Sequence, residues 1–310
     1  MVTTRFPNNK RFAFSVFDDT DRSTTQNVEP VYRLLAELGI FTTKSVWPLS
    51  NAVKARIDGS TLEERNYLDF VLRLKAQGFE IGLHNVRNHD ATREVVYQGL
   101  EEFNKLIGHY PSVHCNHDRN RENLYWGPRR FQTPSIRVAY NVATRFTYNH
   151  SFEGEVESSP YFWGDLCKER ISYVRNFVFN EINLDRINPT LPYHDPGKPF
   201  VNFWFSSSDG GTVDSYCSVL DERNQDQLDA EGGVCIMYTH FAKGFCEGGK
   251  LHSKFVQLMR RMAKKNGWFV PITALLDHLR ETQDTSAIPK TELARMERRW
   301  FLSKLRYGTT

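Results

Sequence analysis

The stretch RFAFSVFDDTD, residues 11–21, decides the fold, because it reads as a buried strand that ends in three acidic residues. Arg11 to Phe17 is mostly apolar and aromatic, and Asp18, Asp19 and Asp21 follow it. Neighbouring carboxylates repel each other and lose hydration together when they are buried. Taken alone, the acids are also typical of a turn that caps the next helix. Other parts of the sequence must therefore distinguish a capping turn from a cation-binding site.

Strand-like and amphipathic helical segments alternate through most of the chain. Apolar residues recur at helical spacing after the first strand, and a β-branched and aromatic segment, IFTTKSVW, follows them. The alternation predicts a parallel sheet with helices outside it, in one barrel-like α/β domain. The pattern weakens at about 128–212, which we interpret as an irregular insertion that holds the strand candidates SYVRNFVF and FVNFWFSSS.

Histidines end or follow several of the predicted strands. His84 ends FEIGLH, His240 ends GVCIMYTH, and His114 and His117 flank the end of PSVHCN. The carboxyl ends of parallel strands meet at one edge of the sheet, where functional groups collect. An aspartate with two histidines is a good ligand set for Zn²⁺ or a similar divalent ion. A second carboxylate can then act as a base and a separate histidine as an acid.

These stretches resemble the motifs of the polysaccharide deacetylase family, the NodB-homology carbohydrate esterases of family 4 type. The resemblance rests on SVFDDT, GFEIGLHNVRNH and VCIMYTH, and it extends over about residues 11–127 and 233–275. It implies a distorted (β/α) barrel, typically of seven strands. It also implies metal-assisted hydrolysis of an N-acetyl or O-acetyl group on a sugar.

The resemblance assigns roles residue by residue. Asp18 matches the catalytic base and His240 the general acid. Asp19, His84 and His89 match the ligands of one divalent metal ion, with Zn²⁺ expected and Co²⁺, Mn²⁺ or Ni²⁺ as the other candidates. The oxyanion is expected to lie against the metal and a backbone N–H near Tyr125.

Three departures from the family pattern leave part of the site open. His84 and His89 are five residues apart instead of four, and Asp90 stands where the family has proline. The third motif reads HCNHDRNRENLYWG and lacks its proline. We expect substrate-binding or base-tethering residues there, with the tethering arginine undecided and with His114 and His117 either a second metal pair or structural; the candidates are His117, Arg119, Arg121, Tyr125 and Trp126.

Composition limits the partners and the compartment. The net charge of the 310-residue chain is +3, so nucleic acid is not expected as a partner. The chain has no run of about 18 apolar residues and no signal-peptide pattern at its start. Its five cysteines contain no CxxC pair and are expected as reduced thiols. We therefore predict a cytoplasmic enzyme whose acetylated sugar substrate is a nucleotide-linked or lipid-linked glycan precursor.

The C-terminal stretch PKTELARMERRWFLSKLRYG is basic and amphipathic. We divide the chain into a barrel over 1–285 and a helix over 286–310. The helix either packs its apolar face on the barrel or lets 290–307 contact an anionic membrane, which would place the protein at the inner membrane face. Two other functions stay open: hydrolysis of another non-peptide C–N amide bond, and glycan binding by a catalytically silent relative.

Overall fold

The structure is a computed structural model that describes residues 5–51, 54, 56–149, 151–283 and 287–308. The strands are β1 Phe12–Asp18, β2 Thr43–Val46, β3 Glu80–Leu83, β4 Val113–His114, β5 Tyr173–Phe179, β6 Phe203–Gly210, β7 Gly233–Thr239, β8 Cys246–Glu247, β9 Lys250–Leu251 and β10 Gly267–Phe269. The helices are α1 Thr25–Glu37, α2 Arg65–Ala76, α3 Arg93–Ile107, α4 Pro134–Ala143, α5 Gly164–Arg170, α6 Val213–Val219, α7 Glu222–Glu231, α8 Ser253–Ala263, α9 Ile272–Thr282 and α10 Lys290–Tyr307. The expected domain boundary at residue 285 lies outside the described residues.

Seven parallel strands close into a barrel in chain order. Strands β1 to β7 are successive neighbours, and β1 also pairs with β7 along its whole length, from Phe12 opposite Gly233 to Asp18 opposite Thr239. Strand β10 pairs with the first half of β1, on the same edge of β1 whose far end pairs with β2. The predicted seven-stranded (β/α) barrel is confirmed.

Successive residues of β1 face two different cores. Phe12, Phe14 and Val16 belong to the core between the barrel and its helices, whereas Ala13 and Phe17 belong to the core inside the barrel. Side chains alternate between the two faces of a strand. At the end of β1, Asp18 therefore continues the outer set and Asp19 continues the inner set.

The interval 128–212 supplies two of the barrel strands, β5 and β6, together with α4 and α5. The two strand candidates that the sequence placed there are therefore part of the barrel. Pro-rich loops accompany them, with the 3-10 helix Gly127–Arg130 before β5 and the 3-10 helix Leu184–Arg186 between β5 and β6. Helix α4 packs against α10, and the two helices cover one side of the barrel mouth.

Helix α10 packs its apolar face on the barrel. Leu293, Met296 and Trp300 are buried, and the buried carboxylate of Glu297 accepts hydrogen bonds from the backbone N–H groups of Gln132 and Thr133 (2.6 and 2.9 Å). These bonds satisfy N–H groups at the start of α4. No helix in the described ranges is both long and apolar enough to cross a membrane. All five cysteines are free thiols, as predicted.

Candidate active site

Asp19 is held inside the barrel mouth by an arginine from the opposite wall. Arg175 of β5 donates two parallel hydrogen bonds to its carboxylate (2.8 and 2.7 Å), and the Cys115 thiol donates a third (3.2 Å). Burial acts to raise the pKa of Asp19, but the charge and hydrogen bonds of Arg175, with a contribution from His84, outweigh it and lower the pKa to about 2. Asp19 is therefore ionised throughout the neutral pH range.

Asp21 is the point where three histidines converge. Its carboxylate lies 3.2 Å from Nε2 of His84, 3.5 Å from Nε2 of His117 and 3.3 Å from Nε2 of His240. Burial acts to raise the pKa of Asp21, but its contacts with the three imidazoles hold it well below its usual range. Asp21, His84 and His117 bring one ligand atom each within 4.8 Å of one another.

The Nδ1 atom of each of these histidines faces an oxygen that fixes the tautomer. The partners are Cys115 for His84 (Sγ at 2.8 Å and the carbonyl oxygen at 3.3 Å), the Asn120 side-chain oxygen for His117 (3.1 Å) and the Gly211 carbonyl for His240 (3.0 Å). Nδ1–H donates in each case, so in the neutral ring Nε2 presents a lone pair toward Asp21. Metal-ligating histidines are oriented in this way by their second nitrogen.

Lone pairs that face a carboxylate repel it unless a proton or a cation lies between them. Nε2 of His117 is shielded from solvent and forms no hydrogen bond with any described residue. Burial lowers the pKa of His84, and although burial also opposes protonation of His117, Asp21 raises the pKa of that ring. Two imidazoles and one carboxylate form a donor set that suits Zn²⁺ and similar ions. The residues present therefore fit a divalent metal ion.

A second group, Asp19, His84 and Cys115, also brings three ligand atoms together. Its carboxylate is already engaged by Arg175, and burial raises the pKa of the Cys115 thiol well above its usual range. A thiolate is the form that binds a metal. The Asp21 group is the better candidate.

Asp18, the expected base, lies on the outer face of β1. Its carboxylate accepts hydrogen bonds from the Tyr32 hydroxyl (2.9 Å) and the Phe241 backbone N–H (2.8 Å), and it forms an ion pair with Lys44 (3.0 Å). All of these groups are buried, and Asp18 is not among the described residues that line the cavity. Strand alternation is the reason that Asp18 and Asp19 separate.

His89, the expected third metal ligand, is not brought to Asp19 and His84. In the described ranges it belongs to neither group of three ligand atoms, and its Nδ1 accepts a hydrogen bond from the Asp90 backbone N–H (2.9 Å). His117 occupies the place beside His84 instead, with ring centroids 4.9 Å apart. Asn85, the residue after His84, adopts a left-handed conformation (φ 53°).

A buried polar network holds His117 in position. The Asn85 side-chain oxygen accepts the His117 backbone N–H (3.0 Å), and the Asn85 amide donates to Glu122 (2.8 Å). Glu122 also accepts from Asn120, whose oxygen anchors His117 Nδ1. Residues of the expected third motif therefore hold His117 beside Asp21 and His84.

Neither arginine that was expected to tether the base contacts it. Arg119 is exposed and pairs with Asp118 (3.3 Å), whereas Arg121 binds Glu153 (2.9 Å) and lies over Tyr161. Arg175, 156 residues along the chain from Asp19, binds that carboxylate instead.

Tyr125 and Trp126 have separate roles. The Tyr125 backbone N–H, the expected oxyanion donor, is occupied by Glu155 (2.9 Å). Trp126 lines the cavity and stacks on Arg130. His114 faces outward and packs edge-on against Trp163, with ring centroids 5.3 Å apart, and among the described residues it belongs to neither group of three ligand atoms.

The site forms the floor of a cavity of about 700 Å³. Asp19, Asp21, His84, His240 and Arg175 line its floor, and α4, the loop after it and α10 contribute to its walls. The wall is rich in aromatic rings, which are Trp126, Tyr140, Tyr148, Phe152, Tyr238, Trp300 and Phe301. Aromatic faces are suited to stacking on sugar rings.

Sequence reasoning missed Asp21 and Arg175. Asp21 stands in the quoted acidic stretch, and Arg175 was visible as a single charge in the apolar strand SYVRNFVF. A lone arginine in a buried strand requires a carboxylate partner, because an unpaired buried charge is strongly destabilising. That requirement was the available signal.

Comparison with known proteins gives structural matches only. Neither a protein-family model nor a curated protein matches the sequence. Among solved structures, the chain is similar to the peptidoglycan deacetylase PdaC from Bacillus subtilis, with 10% identity over 95% of this chain and 99% of that one and a TM-score of 0.42.

Two further matches are esterases and deacetylases of sugar polymers. A family 4 acetyl xylan esterase from Clostridium thermocellum, in complex with a cobalt ion, is 11% identical over 86% of this chain and 90% of that one (TM-score 0.41). A chitin deacetylase from Colletotrichum lindemuthianum is 12% identical over 86% of each chain (TM-score 0.41).

Proposed function

We propose that this protein is a metal-dependent hydrolase that removes an acetyl group from a sugar. The observation that carries the proposal is the convergence of three Nε2 atoms on Asp21, beside an ionised Asp19, on the floor of a large aromatic-walled cavity. A binding protein needs neither a second, separately tethered carboxylate nor a third histidine. The acetyl group and the sugar are suggested by the resemblance of the sequence motifs.

The residues divide between binding and proton transfer. Asp21, His84 and His117 would hold the metal. The chemistry that a divalent cation supplies at such a site is Lewis-acid polarisation of the acyl carbonyl and acidification of water. Which metal is bound remains a prediction, with Zn²⁺ expected from the ligand types.

Asp19 is proposed as the base in place of Asp18. It accepts a proton from the attacking water, and the two hydrogen bonds of Arg175 keep its carboxylate ionised and oriented. His240 is proposed as the acid: Nδ1–H stays on the Gly211 carbonyl, so the protonated ring donates the proton on Nε2 to the departing nitrogen or oxygen.

Metal analysis combined with acetate release tests the proposal. We expect about one divalent ion per chain and acetate release from acetylated sugars that a chelator abolishes and the metal restores. His84→Ala should lose both metal and activity, whereas His89→Ala, the matched control from the same loop, should keep both. Metal loss in His89→Ala but not in His84→Ala would refute the ligand assignment. Stoichiometric metal without hydrolysis of any acetylated sugar would favour a glycan-binding relative, and release of another acyl group would favour a different amidase.

Contact of 290–307 with an anionic membrane stays a prediction, as does the cytoplasmic location. The membrane contact is supported by large apolar side chains that are more than half exposed on α4, on the turn after it and on α10. They are Val138, Val142, Phe146, Leu302 and Leu305. Wild-type protein should sediment with anionic vesicles at low salt, and a Leu302→Glu/Leu305→Glu variant should not. Leu72→Glu on α2 is the matched control, and absence of wild-type binding would refute the contact.

A further inference from the structure

Arg130 is a buried cation that has no anionic partner among the described residues. It ends the short 3-10 helix after Trp126 and is 7% exposed. Its guanidinium carbon lies 3.7 Å from the ring centroid of Trp126 and 4.8 Å from that of Trp300. Its Nε has no hydrogen-bond partner, and within the described ranges its side chain donates no hydrogen bond and forms no ion pair.

Three carboxylates of the neighbouring segments bind groups other than Arg130. Glu297 of α10 binds backbone N–H groups of Gln132 and Thr133, and Asp195 pairs with Lys198 (3.4 Å). Glu155 accepts from the Tyr125 backbone N–H and pairs with the adjacent Arg129 (3.4 Å). Burial lowers the pKa of Arg130 to about 10, and the charge of Arg175 acts in the same direction, so the guanidinium stays protonated at neutral pH.

Arg130 lines the cavity whose floor is the proposed metal site. Lys243 and the exposed Arg145 line the same cavity, and neither forms an ion pair with a described residue. The lining carboxylates are Asp19 and Asp21, which belong to the floor, and Asp118, which pairs with Arg119. Above its floor the cavity therefore carries an excess of positive charge, which favours an anionic ligand.

We propose that Arg130 binds an anionic group of the substrate, a phosphate or a carboxylate, so that the hydrolase acts on a negatively charged acetylated sugar. The Trp126 and Trp300 rings pack on the guanidinium of Arg130 at the cavity lining, and its planar fork of N–H donors matches either anion. The anionic ligand removes the penalty of an unpaired buried charge. The substrate class rests on the proposed hydrolase function, whereas anion binding by Arg130 does not.

Binding is tested on the metal-free full-length protein, so that a metal ion cannot hold the probe. Inorganic diphosphate is titrated calorimetrically at low salt into wild type, Arg130→Gln, Arg130→Lys and Arg129→Gln. Arg129 is the matched control, because it is adjacent, carries the same charge and pairs with Glu155. We expect Arg130→Gln to weaken binding at least tenfold, Arg130→Lys to weaken it less, and Arg129→Gln to stay within twofold. Equal affinity in wild type and Arg130→Gln, or no wild-type binding at millimolar diphosphate, would overturn the proposal.

A kinetic comparison on wild type covers the case in which Arg130→Gln does not fold. Acetate release is compared for N-acetylglucosamine, its 1-phosphate, its nucleoside-diphosphate form and the corresponding uronic acid. We expect kcat/KM at least tenfold higher for one anionic form, mainly through KM, and the preferred form separates phosphate from carboxylate. Equal values for neutral and anionic sugars would refute the inference and leave the hydrolase function standing. Diphosphate binding that depends on Arg130 without acetate release from any sugar would support the anion site and refute the function.

Discussion

Asp18 and Asp19 are adjacent, acidic and almost completely buried, yet their surroundings differ in kind. Asp18 is enclosed by Lys44, Tyr32 and the Phe241 N–H, which are fixed donors of the fold. Asp19 is held on one side by Arg175 and faces the cavity and the Asp21 group on the other. Burial and charge are common to both carboxylates. In the proposed function, Asp19 differs from Asp18 by its access to the cavity and to the Asp21 group.

The largest expected effect is the loss of activity in Asp19→Asn. The amide keeps the shape of the side chain but cannot accept the proton from water, so acetate release should fall by about a hundredfold to ten-thousandfold. The metal content should stay at the wild-type value, because the proposed ligands are Asp21, His84 and His117. Activity, metal content and thermal unfolding are measured together, with Asp18→Asn as the matched control.

The opposite result in the two variants would contradict the assignment of the base to Asp19. If Asp18→Asn lost activity in a folded, metal-loaded protein while Asp19→Asn stayed within tenfold of wild type, the outer carboxylate would be the base. The assignment of Asp19 would then be refuted.

The next largest effect is the loss of stability in Asp18→Asn. Removing one partner leaves Lys44 charged and unpaired in the core, and breaking a buried pair in this way typically lowers the free energy of unfolding by about 3–5 kcal/mol. Activity per folded molecule should change little. Denaturant unfolding measures the effect, and Asp18→Asn/Lys44→Met should recover part of the loss, since it removes both charges. Additive losses in the double variant would show that the pair is not coupled.

The barrel could be predicted from the sequence because its strands and helices differ in periodicity. The face of each carboxylate could not, since β1 is buried on both sides and apolar residues occupy both parities: Phe12, Phe14 and Val16 outside, Ala13 and Phe17 inside. No alternation of polar and apolar residues marks the inner face of such a strand. The family motif matches Asp18 to the base, whereas the proposed base, Asp19, is the next residue along the chain.

The side chains that contact Asp19 and Asp21 from distant parts of the chain could not be predicted, for a different reason. Arg175 meets Asp19 across the barrel, and the local sequence cannot specify which distant strand supplies a counter-charge. His117 reaches Asp21 through a loop whose course depends on the Asn85–Glu122 network. His84 and His240 were found because each directly follows a strand, where position depends on the sheet alone.

The same alternation recurs at β4 and gives the smallest of the expected effects. His114 faces the outer core and Cys115 the barrel interior, and burial lowers the pKa of His114 to about 3, from 6.5 in the unfolded chain. Between these values the unfolded state binds a proton that the folded state excludes, so stability falls as pH decreases. From about pH 6 to about pH 4 the loss due to this group is roughly 2–3 kcal/mol.

His114→Phe should flatten that part of the pH–stability curve, because a phenyl ring fills the space against Trp163 and has no proton to exclude. The matched control is His109→Gln, which changes an exposed histidine and should leave the curve as it is in wild type. Denaturant unfolding at several pH values between about 4 and 7 measures both variants. An unchanged acid limb in a folded His114→Phe protein would mean that His114 is already accessible to protons in the native state. The outer face of β4 would then be open to solvent. In that case the difference between a solvent-excluded outer core and a solvent-accessible inner site would not hold at this strand.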